Sequence, residues 1–339
     1  VRTLVTGGAG FIGSHLVERL TRDGHEVVVL DDLSTGRLDN LDDVDRRRLR
    51  VVVGTITDEA LVDELVGEVD EVYHLAAAVG VLTIQQRTLE SLRTNLHGTE
   101  VVVEAASRRA VRLLLASTSE VYGKNTRKGL REFDDRVLGA PWKSRWSYAE
   151  AKALDETLVA LHVQHRNLRA VVVRLFNTVG PRQRGRYGMV LPRFLTQALD
   201  GRDLTVHGTG EQTRCFCHVE DVVPALVRLM ATPAAVGGTF NIGNPEQVSV
   251  NQLARRVIER TGSSSGVVHL DYEDVYGPGY EDMERRVPDC DRVHRLIGWT
   301  PWRTLDDTID DVAAHLRTQR LRDGVPVDRV PSQAAPALP

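Results

Sequence analysis

Val5-Thr6-Gly7-Gly8-Ala9-Gly10-Phe11-Ile12-Gly13 decides the fold of this chain. The apolar run Val1 to Val5 leads into it, and Ile12, Leu16 and Leu20 follow at helical spacing, so the segment reads as strand, glycine turn, helix. Gly7 permits the tight turn, Gly10 lets a pyrophosphate approach the backbone, and Gly13 lets the helix lie close on the sheet. The helix N-terminus offers free N–H groups and the positive end of its dipole to the phosphates. Phe11 and Ile12 lie in the same motif and count with the glycines as cofactor-binding. A second apolar run, Val27 to Leu30, ends in Asp31. An acidic residue about 20 residues beyond the glycines is placed to hold a ribose hydroxyl pair, which favours NAD over NADP. The competing reading is a glycine turn in some other doubly wound protein.

Outward from there the pattern alternates. Asp32 begins a polar segment with Ser34-Thr35-Gly36, a loop placed to wrap an adenosine. Leu49 to Val53 reads as a third strand and Leu61 to Val66 as a short helix. Glu71 to Ala77 reads as a fourth strand, whose tip carries Leu75, Ala76 and Ala77 beside the expected cofactor. Leu92 to Ala106 is a long helix, and Arg112 to Ala116 a fifth strand ending in Ser117-Thr118-Ser119-Glu120. A helix over Ser147 to His162 and a sixth strand over Leu168 to Leu175 follow. This order gives an α/β fold, a doubly wound parallel sheet of the Rossmann type with helices on both faces. Ligands of such sheets sit at the carboxyl ends of the strands, so the tips named here converge on one crevice. From Gly180 the alternation stops, and a second, smaller α+β substrate lobe is expected. The resulting division is 1–179 for the dinucleotide domain and 180–317 for the lobe, with His218 to Met230 packing back on the first domain. Residues 318–339, with four prolines and few apolar residues, are expected to be a disordered tail.

Composition narrows the function classes. The chain has 339 residues, with 43 Lys+Arg against 47 Asp+Glu and a formal net charge of −4. Nothing in that balance calls for nucleic acid or an anionic membrane surface. The apolar runs are strand-sized, too short to span a bilayer. A core strand at the start leaves no room for a signal peptide. Three cysteines, Cys215, Cys217 and Cys290, fit a reducing cytoplasm. Cys215-Phe216-Cys217-His218 invites a metal reading, but structural zinc takes four ligands in separated pairs, so a buried strand is preferred and no metal is expected.

Tyr148-Ala149-Glu150-Ala151-Lys152 carries the chemistry. Residues four apart share a helix face, so phenol and ammonium point the same way. A free tyrosine has a pKa of about 10 and is a poor base at neutral pH. A nearby cation favours the phenolate, so Lys152 is expected to lower the pKa of Tyr148. Tyr148 then takes a proton from a sugar hydroxyl as hydride leaves the same carbon, and Lys152 also holds the nicotinamide ribose.

On these residues the chain resembles the extended short-chain dehydrogenase/reductase family of nucleotide-sugar enzymes. The resemblance runs from Val1 to about Leu316. Its family-wide marks are the glycine motif, Leu75-Ala76-Ala77, Tyr148/Lys152 and Asn241-Ile242-Gly243-Asn244-Pro245. Ser117 to Gly123, Arg174 to Arg182 and Gln212-Thr213-Arg214 look like UDP-glucuronate decarboxylases, also called UDP-xylose synthases. Tyr276 to Arg286 is similar to the bacterial decarboxylase that releases a UDP-4-keto-pentose. The resemblance implies C4 oxidation of UDP-glucuronate by NAD with Tyr148 as base. Carbon dioxide is then lost from the 4-keto acid, and the ketone is either reduced to UDP-xylose or released. It assigns Thr118 and Ser119 to hydrogen bonding near C4 and the carboxylate, Glu120 to decarboxylation, and Arg286 to protonating or positioning the sugar. It assigns Asn177 and Arg214 to the UDP phosphates, Val190 to the uracil pocket, and a homodimer to the helices Leu92 to Ala106 and Ser147 to His162. Leu154, Leu158 and Leu161 at helical spacing fit either dimer contact or core burial.

Bland readings stand beside these. Ser119 fits a cap or turn former, Glu120 a structural ion pair, and Arg286 a surface position among charges. The family usually has an aspartate at position 55 for the adenine amine. Thr55, with Ile56 beside it, weakens that contact without removing the site. Asp32 after Asp31 further disfavours a 2′-phosphate. A UDP-sugar 4-epimerase, acting on UDP-glucuronate or UDP-glucose, and a 4,6-dehydratase are the enzymatic alternatives. An NAD-sensing binding protein is the non-enzymatic one, and proteins of that kind typically lose the tyrosine or lysine kept here.

Overall fold

The computed structural model describes residues 1–78, 88–185, 189–276, 281, 283 and 285–322. Most of Gly277 to Glu284, part of the stretch after Gly185 and the tail from Asp323 lie outside the described residues. The strands are β1 (Arg2–Thr6), β2 (Glu26–Asp31), β3 (Leu49–Val53), β4 (Glu71–His74), β5 (Arg112–Thr118), β6 (Ala170–Leu175), β7 (Thr178–Val179), β8 (Leu204–His207), β9 (Thr213–Arg214), β10 (Cys217–His218), β11 (Thr239–Ile242), β12 (Val248–Ser249) and β13 (Val267–Leu270). The helices are α1 (Phe11–Arg22), α2 (Glu59–Gly67), α3 (Thr88–Arg108), α4 (Ser147–Arg166), α5 (Val190–Leu199), α6 (Val219–Ala231), α7 (Val250–Thr261), α8 (Tyr272–Tyr276), α9 (Asp291–Ile297) and α10 (Leu305–Arg322).

Among the described residues a seven-stranded sheet has the order β11-β6-β5-β4-β1-β2-β3. Every pairing in it is parallel. The strands are apolar on both faces because each face is covered by helices. Val27 and Val29 of β2, Leu114 of β5 and Val171 and Val173 of β6 join α1, α6 and α9 in one core. The alternate residues, Val28, Leu30, Leu113, Leu115, Ala170 and Val172, join α2, α3 and α4 in the other. Each fully buried Val or Leu contributes about 1.5–3 kcal/mol, so the two-residue period fixes the register of the sheet.

The chain starts at β1, builds outward to β3, and then returns to the other side of β1 with β4. The switch point therefore lies between the ends of β1 and β4, where a crevice opens in folds of this kind. Beyond Gly180 the chain does not stay apart from the sheet. β11 pairs with β6, and α6 packs against α1. A third core, formed by α5, α7, α10 and β8, makes the smaller lobe. The helix α10 runs to Arg322, past position 317, so residues 318–322 are helical rather than disordered. Arg320 holds that end by pairing with Asp200 and donating to the Thr196 carbonyl at 3.3 Å. Low apolar content had hidden an end fixed by ionic contacts. Cys215 and Cys217 are free and buried, as a packed interior segment requires.

Candidate active site

The glycine turn forms at the switch point. Gly7 has φ +71° and donates its N–H to the Leu30 carbonyl at 2.8 Å. A Cβ at Gly7 would lie 2.8 Å from the Ala76 nitrogen, so the tips of β1 and β4 touch. A Cβ at Gly13 would lie 2.0 Å from the Gly7 carbonyl oxygen, so α1 closes directly onto the turn. A Cβ at Gly10 would meet only that same oxygen at 3.1 Å, and Gly10 caps α1 without any side-chain hydrogen bond. The α1 N-terminus thus keeps backbone donors and an approach open to a pyrophosphate.

Asp31 lies against this turn. Its carboxylate accepts from Ala9 N–H and Leu33 N–H, each at 2.9 Å, and burial raises its pKa against the pull of those bonds. Gly36 is buried beside it, since a Cβ there would sit 2.8 Å from Oδ1. Asp32 is exposed and accepts from the Ser34 N–H and hydroxyl, while Thr35 lies between. The loop folds back over the turn through Arg37 N–H and Asn40 Nδ2, which both donate to the Ala9 carbonyl. Phe11 packs edge-on to His15, and Ile12 is partly buried with it against the core. Thr55 is exposed and bonded to Thr57 at 2.9 Å. Ile56 is 5% exposed and packs on Gly98, so its side chain serves the core rather than a ligand. Leu75, Ala76 and Ala77 line the tip of β4, where Asn95 clamps Ala78 through both its N–H and its carbonyl. Free N–H donors, an open glycine face and acidic Asp31 with Asp32 fit a dinucleotide whose ribose hydroxyls carry no phosphate.

The second half of the crevice is built on β5, β6 and α4. Thr118 caps the turn Ser119–Tyr122, accepting from Glu120 N–H at 3.2 Å. Here the cap is Thr118, whereas the Ser119 hydroxyl is buried with no hydrogen-bond partner among the described residues. Glu120 pairs with Arg145 through Oε2 and with Arg286 through Oε1, both at 2.5 Å. Burial opposes the charge of Glu120, but the guanidinium groups of Arg145 and Arg286 outweigh it and bring its pKa to about 2. Arg286 is 8% exposed, which excludes the surface reading, and it also donates to Asn177 Oδ1 at 3.0 Å. Asn177 donates in turn to the Cys215 carbonyl, next to buried Arg214. Val190, at the start of α5, is partly buried against the third core. The structure thus brings Glu120, Arg286, Asn177 and the Arg214 segment together, and places Val190 in the neighbouring lobe.

Tyr148 and Lys152 lie on one stripe of α4, with Lys152 buried and Tyr148 partly so. The expected lowering of the tyrosine pKa is not found. Burial, then the charges of Glu120 and Asp155, push Tyr148 upward. Burial is the main reason, and Lys152 Nζ, 2.9 Å from Asp155 Oδ2, is paired with a carboxylate rather than standing alone beside the phenol.

No role in this site was read from the sequence for Arg145 or Glu156, and Asn241 and Arg174 stood only within stretches that carry the resemblance. Arg145 lies three residues ahead of Tyr148, a helical spacing that was the available signal. Asn241 accepts from the Tyr122 hydroxyl at 2.8 Å and donates to the Leu130 carbonyl, which holds the turn that carries Glu120. Glu156 and Arg174 form a further buried pair under that turn. They lie 18 residues apart on different elements, so no local pattern showed that they pair.

Known proteins share this architecture. The model of the NAD dependent epimerase/dehydratase family matches residues 3–243. The UDP-N-acetyl-alpha-D-glucosaminuronate decarboxylase of Bacillus cytotoxicus is 40% identical, over 88% of this chain and 92% of the relative. The UDP-glucuronic acid decarboxylase 1 of Xenopus tropicalis is 36% identical, over 94% of this chain and 72% of the relative. The UDP-glucose 4-epimerase of Thermotoga maritima, solved with UDP-glucose, superposes with a TM-score of 0.85 at 28% identity, covering 94% of this chain and 99% of that one. With matched glycine turn, acidic strand end and Tyr148/Lys152 stripe in place, the chain belongs to the NAD dependent epimerase/dehydratase family.

Proposed function

We propose that this chain is a decarboxylase of a UDP-linked hexuronic acid, UDP-glucuronate, with NAD as resident cofactor. The observation that carries the reading is Glu120 clasped by Arg145 and Arg286, close enough for its charge to act on Tyr148. With Arg214 nearby, that side of the crevice has more arginines than carboxylates, which suits a sugar carrying both a carboxylate and a diphosphate. The decarboxylase relatives over most of the chain support it.

NAD, held by the glycine turn, the α1 N-terminus and Asp31, supplies a reversible hydride acceptor when bound. Tyr148 takes the C4 hydroxyl proton, with Lys152 on the same helix stripe to hold the nicotinamide ribose. Once C4 is a ketone it is β to the C6 carboxylate, so the electron pair left by departing CO₂ is delocalised onto the carbonyl oxygen. The Ser119 hydroxyl and Thr118 face this group, and Glu120 with its two arginines sets the field in which the carboxylate charge disappears and C5 is protonated. Asn177 and Arg214 hold the diphosphate, and Val190 borders the base in the lobe 180–317. The test is an NMR time course of purified protein with UDP-glucuronate. Release of CO₂ and a UDP-pentose or UDP-4-keto-pentose is expected. Conversion to UDP-galacturonate without CO₂ makes the chain an epimerase instead. A second reading, the 2-acetamido uronate as substrate, rests on the 40% identity to the Bacillus protein. The two acids share the C4 to C6 chemistry, so a parallel time course with that substrate separates them by rate.

We infer also that two copies pair through α3 and α4. Leu154 and Leu161 are 56% and 47% exposed, and Leu89 on α3 is 63% exposed, which leaves core burial unable to account for them. Leu158 is the one of that set packed inward. Leu154→Glu is expected to halve the mass seen by light scattering. An unchanged mass, or a monomeric wild type, refutes the pairing. Among the described residues no helix is long and apolar enough to cross a membrane. The free thiols suit a cytoplasmic location.

A further inference from the structure

Behind Tyr148 and Lys152 runs a row of buried polar side chains that the chemistry above does not use. Asp155 Oδ2, 2.9 Å from Lys152 Nζ, also accepts from the Thr99 hydroxyl of α3 at 3.1 Å. Thr99 Oγ1 is 3.1 Å from His74 Nε2, and His74 Nδ1 is 2.8 Å from Thr6 Oγ1. Thr6 Oγ1 accepts from the Ala76 N–H at 3.2 Å. Lys152 and Asp155 are each 2% exposed, and His74 and Thr99 each 1%.

Counting donors fixes the direction of the row. A carboxylate only accepts, so Thr99 gives it its single O–H and must itself accept from His74. His74 is therefore the Nε2–H tautomer, its Nδ1 accepts from Thr6, and a Thr6 lone pair is left for Ala76. Burial, then the charge of Lys152, hold the His74 pKa down to about 3, so the ring is neutral. The row ends on a backbone N–H at the tip of β4 and not on solvent. It fixes orientation and does not conduct protons outward.

We propose that Asp155 is a positioning residue for the catalytic lysine, anchored through Thr99 and His74 to the strand tip beside the glycine turn, and that it sets how much of the lysine's charge reaches the Tyr148 oxygen. This rests on the proposed roles of Tyr148 and Lys152. The charges that act on Tyr148 are Glu120 from the turn after β5 and Asp155 on its own helix, while Lys152, one turn along the same stripe, is paired with Asp155. Those facing Asp155 are Lys152 and Glu156, with neutral His74 behind Thr99. Removing the negative charge of Asp155 leaves Lys152 unopposed, which favours the phenolate.

The test is an ultraviolet difference titration of the NAD-loaded protein, with the Tyr148 signal taken as the part lost in Tyr148→Phe. Asp155→Asn, and Asp155→Ser as a smaller neutral variant, are expected to lower the Tyr148 midpoint by about one pH unit or more. The acidic limb of the turnover profile moves the same way, and Asp155→Glu returns both towards wild type. In the wild-type protein the ¹⁵N shifts of His74 are expected to report an uncharged Nε2–H ring throughout the folded range. Lost turnover with an unmoved tyrosine midpoint, or an Nδ1–H or charged His74, overturns the proposal. If Tyr148→Phe keeps full turnover, the catalytic reading fails instead, while the shift of the tyrosine titration stands by itself.

Discussion

Tyr148→Phe is expected to lower turnover of UDP-glucuronate by roughly 10²- to 10⁴-fold, the range of a lost general base. The substitution deletes one oxygen from a partly buried ring and leaves its shape, so packing and folding are kept. The glycine turn, Asp31 and Lys152 are untouched, so NAD affinity by fluorescence or calorimetry stays within a few-fold of wild type. Loss of both turnover and NAD binding assigns the residue to the cofactor site rather than to proton transfer. Retained turnover ends the base assignment. The measurement is informative because Tyr148 is held above the usual phenol range by burial and by Glu120 and Asp155. Proton transfer then depends on substrate and cofactor bringing their own charge, so the wild-type rate should depend steeply on the ionisation of the substrate complex.

The second large effect is expected at Glu120. Its two oxygens each hold a different arginine, and the side chains of Glu120, Arg145 and Arg286 are 14%, 9% and 9% exposed. Glu120→Ala removes the carboxylate that both guanidinium groups clasp. Breaking a buried pair from one side costs about 3–5 kcal/mol. A large fall in the urea midpoint at neutral pH is therefore expected, together with loss of turnover. Glu120→Gln keeps the shape without the charge and isolates the electrostatic part. The sign of the pH dependence follows from the direction of the shift. The folded pKa of about 2 lies below the ordinary 4.5, so Glu120 stabilises the fold fully above that ordinary value. That stabilisation is lost as pH falls from 4.5 towards 2. Wild type should lose stability over that interval more steeply than Glu120→Gln. Parallel curves for the two proteins would show that the carboxylate contributes no net charge stabilisation.

The glycine turn, Asp31, the alternating strands and the Tyr148/Lys152 pair were legible because each is a local pattern whose physics acts within a few residues. The apolar runs marked these strands, and the structure turns Val27, Val29, Leu114 and Val171 to one face and their neighbours to the other. Arg286 was legible only through resemblance, and nothing around it separated a buried ligand from a surface charge. The ion pair of Lys152 with Asp155 lay in plain view three residues apart, but spacing alone does not say which face of the phenol it would leave unsatisfied. His74 reads as a strand residue, and only the fold brings it to Thr99. Helix ends were misjudged where charges rather than apolar residues hold them, as at Arg320.

β11 lies at the edge of the seven-stranded sheet, although it enters the sequence after α5, β8 and α6. During synthesis the first six strands leave the ribosome well before their outermost neighbour exists. Until then β6, with Val171 and Val173, exposes an unpaired row of backbone groups to other nascent chains. A fragment cut at Val179 would carry that open row permanently. The chain beyond Gly180 is thus threaded back into the sheet through β11 rather than appended to it.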